Sequence, residues 1–479
     1  MKNALLFLIG WLAGTWALGQ STPPPNVVIF IADDVSWNDL GCYGNGAVKT
    51  PHIDRLAAEG VRFTNVFLTA SSCSPSRASI LSGRYPHNTG AAELHTPLPA
   101  EVATFPRYLR QAGYHCVSSG KWHLGPNAEP DFDLVQQKNI GDGGEALWLD
   151  ALQNRPRDKP FFTWLAALDA HREWGENEYS GTNPASGVVP PPYLLNKPAT
   201  REDLARYYDE ISRFDAYVGK VVEELEKQGV LDNTLLLVMA DNGRPFPRTK
   251  TRLYDEGIKT PFVLRWPAGT SAKNVVSESL ISVIDLAPTI LELAGVTPAA
   301  HFQGRSFTKV LQQPQSTFRQ YVFAEHNWHD YEAYERMVRT KDWLYITNAR
   351  PQFPLSSAAD VHHSASFQEL VRAYEEGTLE VLQKEQFMSP RPVEELYDCR
   401  ADPLQLTNLI KDPKYTQELQ KLRLVLKQWS NDTDDTLPQN LTPSRFDWFT
   451  GEKLNVPTQY GEMPGTTRRA TRNTDKGPF

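Results

Sequence analysis

The sequence predicts an α/β fold: a mainly parallel β-sheet flanked by helices, followed by a smaller C-terminal α+β domain that contains an antiparallel sheet. The main observation is a series of short, continuously apolar runs, which are typical of strands buried on both faces of a parallel sheet. Helical patterns lie between these runs, and strands that alternate with helices favour a parallel sheet. The runs are Val27 to Ala32, His115 to Ser119, Phe161 to Ala167, Thr234 to Ala240 and Phe262 to Trp266.

The clearest helical pattern spans Arg201 to Gln228. Its apolar residues recur at three- and four-residue steps, the spacing of one helix face. Thr200 and Asp203 resemble a capping box at its start, with Asp in place of the usual Glu, and Gly229 is predicted to end the helix. The apolar stripe consists of Leu204, Ile211, Phe214, Val218, Val221 and Leu225.

The pattern of predicted elements changes beyond about residue 315. Tyr321 to Ala324 and Trp343 to Ile346 are predicted as short antiparallel strands, and Gln417 to Trp429 as a packing helix. We therefore expect an N-terminal catalytic domain over residues 26–315 and a C-terminal subdomain over residues 316–440. Residues 441–479 are polar and rich in Thr, Arg, Pro and Gly, which predicts a loosely ordered tail.

Bulk composition narrows the class of protein. The chain has 479 residues and a net charge of −8, with no run rich in lysine and arginine, which argues against nucleic acid as a partner. Residues 1–19 resemble a signal peptide, with Lys2 before an apolar stretch and Ala17-Leu18-Gly19 at the cleavage site. The prediction is an exported protein, periplasmic or secreted, with no membrane span in the mature chain. An uncleaved N-terminal anchor is the alternative.

One short stretch carries the strongest chemical signal. Cys73-x-Pro75-x-Arg77 opens a helix-like run, which places the cysteine at a helix N-terminus, where backbone N–H groups favour anions. This pattern resembles the sulfatase signature, in which a maturation enzyme oxidises the cysteine to Cα-formylglycine. Without Cys73, three cysteines remain, so at least one is unpaired and the chain has no disulfide framework; they are Cys42, Cys116 and Cys399.

Polar side chains follow the predicted strands. Ligand sites in open α/β sheets lie beyond the carboxyl ends of the strands, so these groups are expected to converge on one crevice. Their carboxylate and amide oxygens, together with an oxygen of the modified Cys73, would suit Ca²⁺, while Mg²⁺ remains open. The predicted metal ligands are Asp33, Asp34, Cys73, Asp241 and Asn242; Lys121, His123, Asp169 and His171 follow two further strands.

With these residues in place, the chain resembles a type I sulfatase of the alkaline phosphatase-like superfamily over most of residues 26–430. Within that family it is similar to the N-sulfoglucosamine sulfohydrolase (sulfamidase) branch. The similarity rests on the run Asp241-Asn242-Gly243-Arg244-Pro245-Phe246-Pro247 followed by Lys250 and Leu253-Tyr254, and on the runs Ser364 to Leu370 and Glu395 to Asp398.

The resemblance implies roles for particular residues. Arg77 would hold the modified residue, and Lys121 and Lys250 would bind the sulfate oxygens. His123 would be the base that collapses the hemiacetal, and His171 or Lys250 would protonate the leaving group. The family usually shows Asp-Pro-His where this chain has Asp169-Ala170-His171, which weakens the assignment of His171.

The expected substrate is a sulfated carbohydrate, bound by Lys121, His171 and Lys250 and, from their position in the C-terminal domain, by His326 and Arg336. A formylglycine-generating enzyme is the expected maturation partner. N-sulfated glucosamine and O-sulfate esters of other polysaccharides are both retained as substrates. A phosphatase or phosphodiesterase of the same fold and an inactive carbohydrate-binding relative are the remaining alternatives.

Overall fold

The computed structural model describes residues 23–355 and 357–479. The predicted signal peptide at residues 1–19 lies outside the described residues. The strands are β1 Asn26–Ala32, β2 Val61–Phe63, β3 Val66–Phe67, β4 His115–Gly120, β5 Leu134–Gln136, β6 Phe161–Ala166, β7 Thr234–Ala240, β8 Phe262–Arg265, β9 Val275–Ser277, β10 Ile281–Ser282, β11 Val322–His326, β12 Glu335–Arg339, β13 Trp343–Asn348 and β14 Glu394–Asp398.

The α-helices connect and flank these strands. They are α1 Pro51–Glu59, α2 Cys73–Ser82, α3 Pro86–Thr89, α4 Phe105–Gln111, α5 Trp148–Gln153, α6 Pro198–Lys227, α7 Asp255–Ile258, α8 Leu286–Leu293, α9 Thr308–Gln312, α10 Ala359–His362, α11 Ala365–Glu375, α12 Val381–Lys384 and α13 Thr416–Asp432. None of the helices in the described ranges combines the length and the apolar character that crossing a membrane requires.

The large sheet has the predicted mainly parallel character. Its strand order is β5-β4-β6-β1-β7-β8-β2-β9, and β8 runs antiparallel to both of its neighbours. Alternate residues of the central strand β1 face opposite helix layers: Ile29 packs with α2, α4 and α8, and Phe30 packs with α1, α5 and α6. The sheet is therefore buried on both faces, which explains why its strands read as continuous apolar runs.

Helix α6 confirms the predicted apolar stripe but corrects its start. All six stripe residues are buried, whereas the helix begins at Pro198 with Lys197 as its N-cap residue. Thr200 and Asp203 lie inside the helix and form no capping box. Asp203 instead accepts hydrogen bonds from the Arg172 guanidinium, at 2.8 and 2.9 Å, because the loop after β6 packs against this end of the helix.

The C-terminal region is built on an antiparallel sheet of order β11-β12-β13-β14, as predicted. Helix α13 covers one face through Leu422 and Trp429. The other face packs against Leu253 and Tyr254 of the larger region. The smaller sheet is thus sandwiched between its own helix and the segment that follows β7.

The polar tail is held against the body of the protein, contrary to the expectation of loose order. Arg84 donates to the carbonyls of Thr471 at 2.9 Å and Asn473 at 2.7 Å, and Asn88 donates to the Ala470 carbonyl at 2.7 Å. These bonds join buried side chains to tail carbonyls, so tail composition alone does not reveal them. All four cysteines of the chain are free.

Candidate active site

Cys73 is the first residue of α2 and lies at the centre of the site. Ser72 precedes it in an extended conformation, with φ −159° and ψ 131°, and bonds its hydroxyl to His329 Nδ1 at 2.7 Å rather than capping the helix. The Cys73 side chain is buried, with Sγ 3.7 Å from Asp33 Oδ1 and 3.9 Å from Asp34 Oδ1. Burial raises the pKa of the Cys73 thiol well above its usual value.

The predicted metal ligands meet because they follow neighbouring strands. Asp33 and Asp34 come directly after β1, and Asp241 and Asn242 directly after β7, which pairs with β1 in parallel. The Asp34 backbone N–H donates to Asp241 Oδ1 at 3.2 Å, and Asn242 Nδ2 donates to Asp34 Oδ1 at 2.5 Å. All four side chains are fully buried.

The chemistry of this donor set fits a hard divalent cation. Burial and the negative charge of Asp33 raise the pKa of the Asp241 carboxyl. The side-chain oxygen of Asn242 is buried and has no hydrogen-bond partner among the described residues. Three carboxylates and one amide oxygen beside Cys73 are ligands that Ca²⁺ prefers.

Three cations surround the carboxylates. Arg77 Nε lies 2.7 Å from Asp241 Oδ2, and its guanidinium also donates to the Lys121 carbonyl at 2.9 Å. The Lys121 ammonium bonds to Asp33, and Lys250 Nζ lies 2.7 Å from Asp34 Oδ2. These groups come from α2, the end of β4 and the loop after β7. Together they form the cationic set that the sequence predicted.

The two predicted histidines line the same cluster but differ in burial. His123 Nε2 lies 2.6 Å from His95 Nδ1, and burial with the charges of Lys121 and Arg77 lowers the pKa of His123 to about 2. His123 is therefore neutral. His171 is one-third exposed; its Nδ1 donates to the Arg172 carbonyl and its Nε2 lies 3.9 Å from Asp34 Oδ2.

Two residues expected to bind substrate lie elsewhere. Arg336 is buried in β12, where its guanidinium bonds to Asp435 at 2.7 and 2.8 Å and to Asn327 Oδ1 at 3.0 Å. His326 ends β11, buried, with Nδ1 3.7 Å from Glu335 Oε1. Both side chains are buried in the paired strands β11 and β12, so substrate contact by either residue stays a prediction.

Sequence reasoning missed one acidic member of the site. Asp360, in the four-residue helix α10, places Oδ2 2.8 Å from Lys250 Nζ and 3.5 Å from His171 Nε2. A helix this short has no readable periodicity. The nearest signal is the Ser364 to Leu370 run, which begins four residues further along the chain.

An open cleft leads from this cluster. Its volume is about 570 Å³, and its lining is mostly polar. Lys121 and His171 belong to both the cluster and the lining of the cleft, which also includes Glu173, Asn177 and Arg213. The cleft therefore provides room for a polar group beside the charged cluster.

Comparison with known proteins agrees with this geometry. The model of the sulfatase family matches residues 25–141 and 146–296, and that of the N-sulphoglucosamine sulphohydrolase C-terminal domain matches residues 248–350. An ulvan-active sulfatase of Formosa agariphila is 31% identical over 85% of this chain and 74% of its own length. Human N-sulphoglucosamine sulphohydrolase is 32% identical over 86% of this chain and 91% of its own.

Solved structures support the fold. A protein in complex with its substrate D-glucosamine-2-N,6-O-disulfate has a TM-score of 0.66 at 21% identity and covers 85% of this chain and 98% of its own. The phosphonate monoester hydrolase of Agrobacterium radiobacter has a TM-score of 0.60 at 19% identity, with coverages of 84% and 95%. The fold is the alkaline phosphatase-like one, and the chain belongs to the sulfatase family of sulfuric ester hydrolases.

Proposed function

We propose that this protein hydrolyses sulfate groups of sulfated carbohydrates. The observation that carries the proposal is the position of Cys73, which lies within 3.9 Å of Asp33 and Asp34 at the start of α2. Lys121 and Lys250 flank the same carboxylates. A modifiable side chain, an oxygen-rich cation site and fixed positive charges are the elements that cleavage of a sulfate ester requires.

Two groups that the chain would acquire complete this site. Cys73 converted to formylglycine would supply, as a hydrate, a hydroxyl nucleophile on a carbon that can later expel the sulfate. A calcium ion held by Asp33, Asp34, Asp241 and Asn242 would supply positive charge next to the sulfate oxygens. The family membership and the donor chemistry support both assignments.

The remaining residues bind and move protons. Arg77 neutralises Asp241 and fixes the first turn of α2, while Lys121 and Lys250 are placed to bind sulfate oxygens, on which negative charge accumulates as the bond breaks. His171, partly exposed on the cleft side, would donate a proton to the departing oxygen or nitrogen. His123 is assigned as the base for sulfate release from the family resemblance, since its lowered pKa shows only that it is neutral in the resting site.

A carbohydrate scaffold is supported by the relatives and by the cleft. Ulvan-active and glucosamine-directed enzymes are among the proteins that this chain resembles over most of its length. The cleft beyond His171 is lined by amide, carboxylate and guanidinium groups, which suit hydroxyl-rich ligands. Residues 1–19 support export of the protein before it meets such a substrate.

A second, narrower function is cleavage of N-sulfate from glucosamine. The match of residues 248–350 to the N-sulphoglucosamine sulphohydrolase C-terminal domain favours it. This segment carries Lys250 and reaches β13, so it includes both a sulfate-binding lysine and the sheet next to the site. The general carbohydrate sulfatase and this narrower function predict different substrates for the same centre.

The test is release of inorganic sulfate by purified, matured protein from N-sulfated glucosamine and from a panel of O-sulfated oligosaccharides. We expect turnover of at least one substrate, and a Cys73 peptide about 18 Da lighter than the cysteine form, from loss of H₂S and gain of O. Cys73→Ala should abolish turnover, while Cys399→Ala, a buried cysteine of the C-terminal region, should retain it. Undiminished turnover in Cys73→Ala would contradict the proposal.

A further inference from the structure

Asp360 puts a negative charge where a sulfatase needs positive charge. Its Oδ2 lies 2.8 Å from Lys250 Nζ and 3.5 Å from His171 Nε2, two groups proposed to face the sulfate and the leaving atom. The reactive atoms of Asp34, His171 and Asp360 lie within 4.8 Å of one another. The carboxylate therefore lies beside the two groups proposed to face the sulfate.

The carboxylate is held in place by neighbouring backbone and side-chain contacts. The Ala359 backbone N–H donates to Asp330 Oδ2 at 2.9 Å, which fixes the first turn of α10. Burial raises the pKa of Asp360, but the charges of Lys250 and His171 outweigh it and hold the pKa well below its usual value. The charged and titratable groups facing it are Lys250, His171, His329, Asp34, Asp330, Tyr331 and His362.

Lys250 already has a partner without Asp360. Its ammonium lies 2.7 Å from Asp34 Oδ2, so one carboxylate would suffice to neutralise it. The second carboxylate is that of Asp360. Its Oδ1 is buried and has no hydrogen-bond partner among the described residues, which is costly for a charged group. A charge kept at such a cost next to an anion-binding pocket points to a role in choosing the anion.

The anions that fit such a pocket differ in charge. A sulfate ester or N-sulfate group carries one negative charge, whereas a phosphate monoester carries close to two above its second pKa of about 6. A fixed carboxylate repels the dianion about twice as strongly as the monoanion. At the separations within this pocket and an effective dielectric constant of about 20 to 40, the extra repulsion amounts to roughly a tenfold difference in binding.

We propose that Asp360 is a specificity-determining residue that makes this site prefer monoanionic sulfate groups over dianionic phosphate groups of the same shape. This inference rests on the proposed function, because it assumes that Lys250 and His171 face the sulfate. It assigns the selecting charge to α10, in the C-terminal region, rather than to the strand ends that carry the reactive groups.

The experiment compares binding of glucose 6-sulfate and glucose 6-phosphate, by isothermal titration calorimetry, to Cys73→Ala protein that carries Asp360, Asp360→Asn or Asp360→Glu. At pH 8 we expect Asp360→Asn to shift the ratio of the two dissociation constants roughly tenfold towards phosphate. Asp360→Glu keeps the charge and should leave the ratio unchanged. At pH 5 the phosphate ester is mainly a monoanion, so the effect of Asp360→Asn on the ratio should disappear.

The outcomes separate this inference from the proposed function. Equal losses of sulfate and phosphate binding in Asp360→Asn would overturn the inference and leave Asp360 as a support for Lys250. A shift of the ratio in Asp360→Glu as large as in Asp360→Asn would also overturn it, because the charge is retained there. If the unmutated enzyme releases no sulfate from any substrate, the proposed function fails first.

Discussion

The two sheets of this protein arrange buried charge differently. At the ends of β1 and β7, Asp33, Asp34 and Asp241 crowd together, each beside one cation, and Asp360 adds a fourth carboxylate to the three cations. In the antiparallel sheet, by contrast, the buried Arg336 pairs with Asp435, and Arg391 with Glu335, each at hydrogen-bond distance.

This contrast distinguishes a reactive centre from ion pairs that only stabilise the structure. Like charges that are held close together lower the stability of the fold, and such clusters are found preferentially at functional sites. Matched buried pairs fix the geometry of the surrounding structure, and losing one partner leaves an uncompensated charge. By this criterion the reactive centre belongs to the parallel sheet, and the C-terminal sheet contributes mainly rigidity, with Asp360 as the exception.

The largest effect that tests this contrast is expected at Arg336. Arg336→Ala removes the guanidinium that bonds to Asp435 and leaves Glu325 with His87 alone, and it should lower the free energy of unfolding by about 3–5 kcal/mol. Urea denaturation measures this loss. Arg423→Ala, which breaks a partly exposed pair with Glu394 in the same sheet, should cost less than about 1 kcal/mol.

The kinetics of Arg336→Ala decide whether Arg336 also contacts the substrate. If its role is structural, the folded fraction should keep its KM for the best sulfated substrate. A raised KM in protein shown to be folded would restore the original expectation that Arg336 binds substrate.

Calcium is expected to have the next largest effect on the free energy of unfolding, through the carboxylates at the ends of β1 and β7. Adding Ca²⁺ to EDTA-treated protein at about 100 times its dissociation constant should raise the free energy of unfolding by about 2.7 kcal/mol. Asn242→Ala removes one predicted ligand without changing the charge, so its calcium response should be smaller. Differential scanning calorimetry with and without EDTA measures both.

The matched control for calcium is Asn348→Ala. Asn348 is a buried asparagine in β13, away from the strand ends of the parallel sheet, so its calcium response should equal that of the unmutated protein. An equal loss of response in Asn242→Ala and Asn348→Ala would contradict the assigned ligands. A stabilisation given by Zn²⁺ but not by Ca²⁺ would do the same.

The sequence predicted those site residues that directly follow buried strands. Asp33, Lys121, His171 and Asp241 were all identifiable because an apolar run ends immediately before or shortly ahead of each of them, and parallel strand ends meet at one edge. The fold class followed from the same runs, and the ends of the seven strands that were predicted agree to within two residues. These features depend on local pattern, which a single sequence carries. No run predicted β2, β3, β5, β9, β10, β12 or β14.

The features that the sequence did not reveal depend on contacts between distant segments. Asp360 reaches Lys250 across 110 residues, from a helix too short for a periodic signal. The ion pair that occupies Arg336 depends on Asp435, 99 residues away. The tail is held by Arg84 through backbone carbonyls, which every residue type offers. No local pattern distinguishes these residues from ordinary surface positions.

The smallest predicted effect is a pH dependence within the matched network of the C-terminal region. Burial lowers the pKa of His87, but the charges of Glu325 and Asp435 outweigh it, and the pKa is raised above its usual value. His87 Nδ1 lies 2.8 Å from Glu325 Oε1, and Arg336 also faces this pair. The stabilisation by charged His87 is complete below the unfolded-state pKa of about 6.5 and is lost as the pH rises through the folded-state pKa.

His87→Gln should therefore flatten the decline in the free energy of unfolding above neutral pH. Because one group titrates, the difference in slope between the two proteins cannot exceed about 1.4 kcal/mol per pH unit. Urea denaturation at constant ionic strength, in EDTA so that calcium does not contribute, measures both slopes. If His87→Gln has the slope of the unmutated protein, His87 is not charged in the folded state. Glu325 and Asp435 would then share Arg336 alone, and these three groups would carry one more negative charge than positive charges.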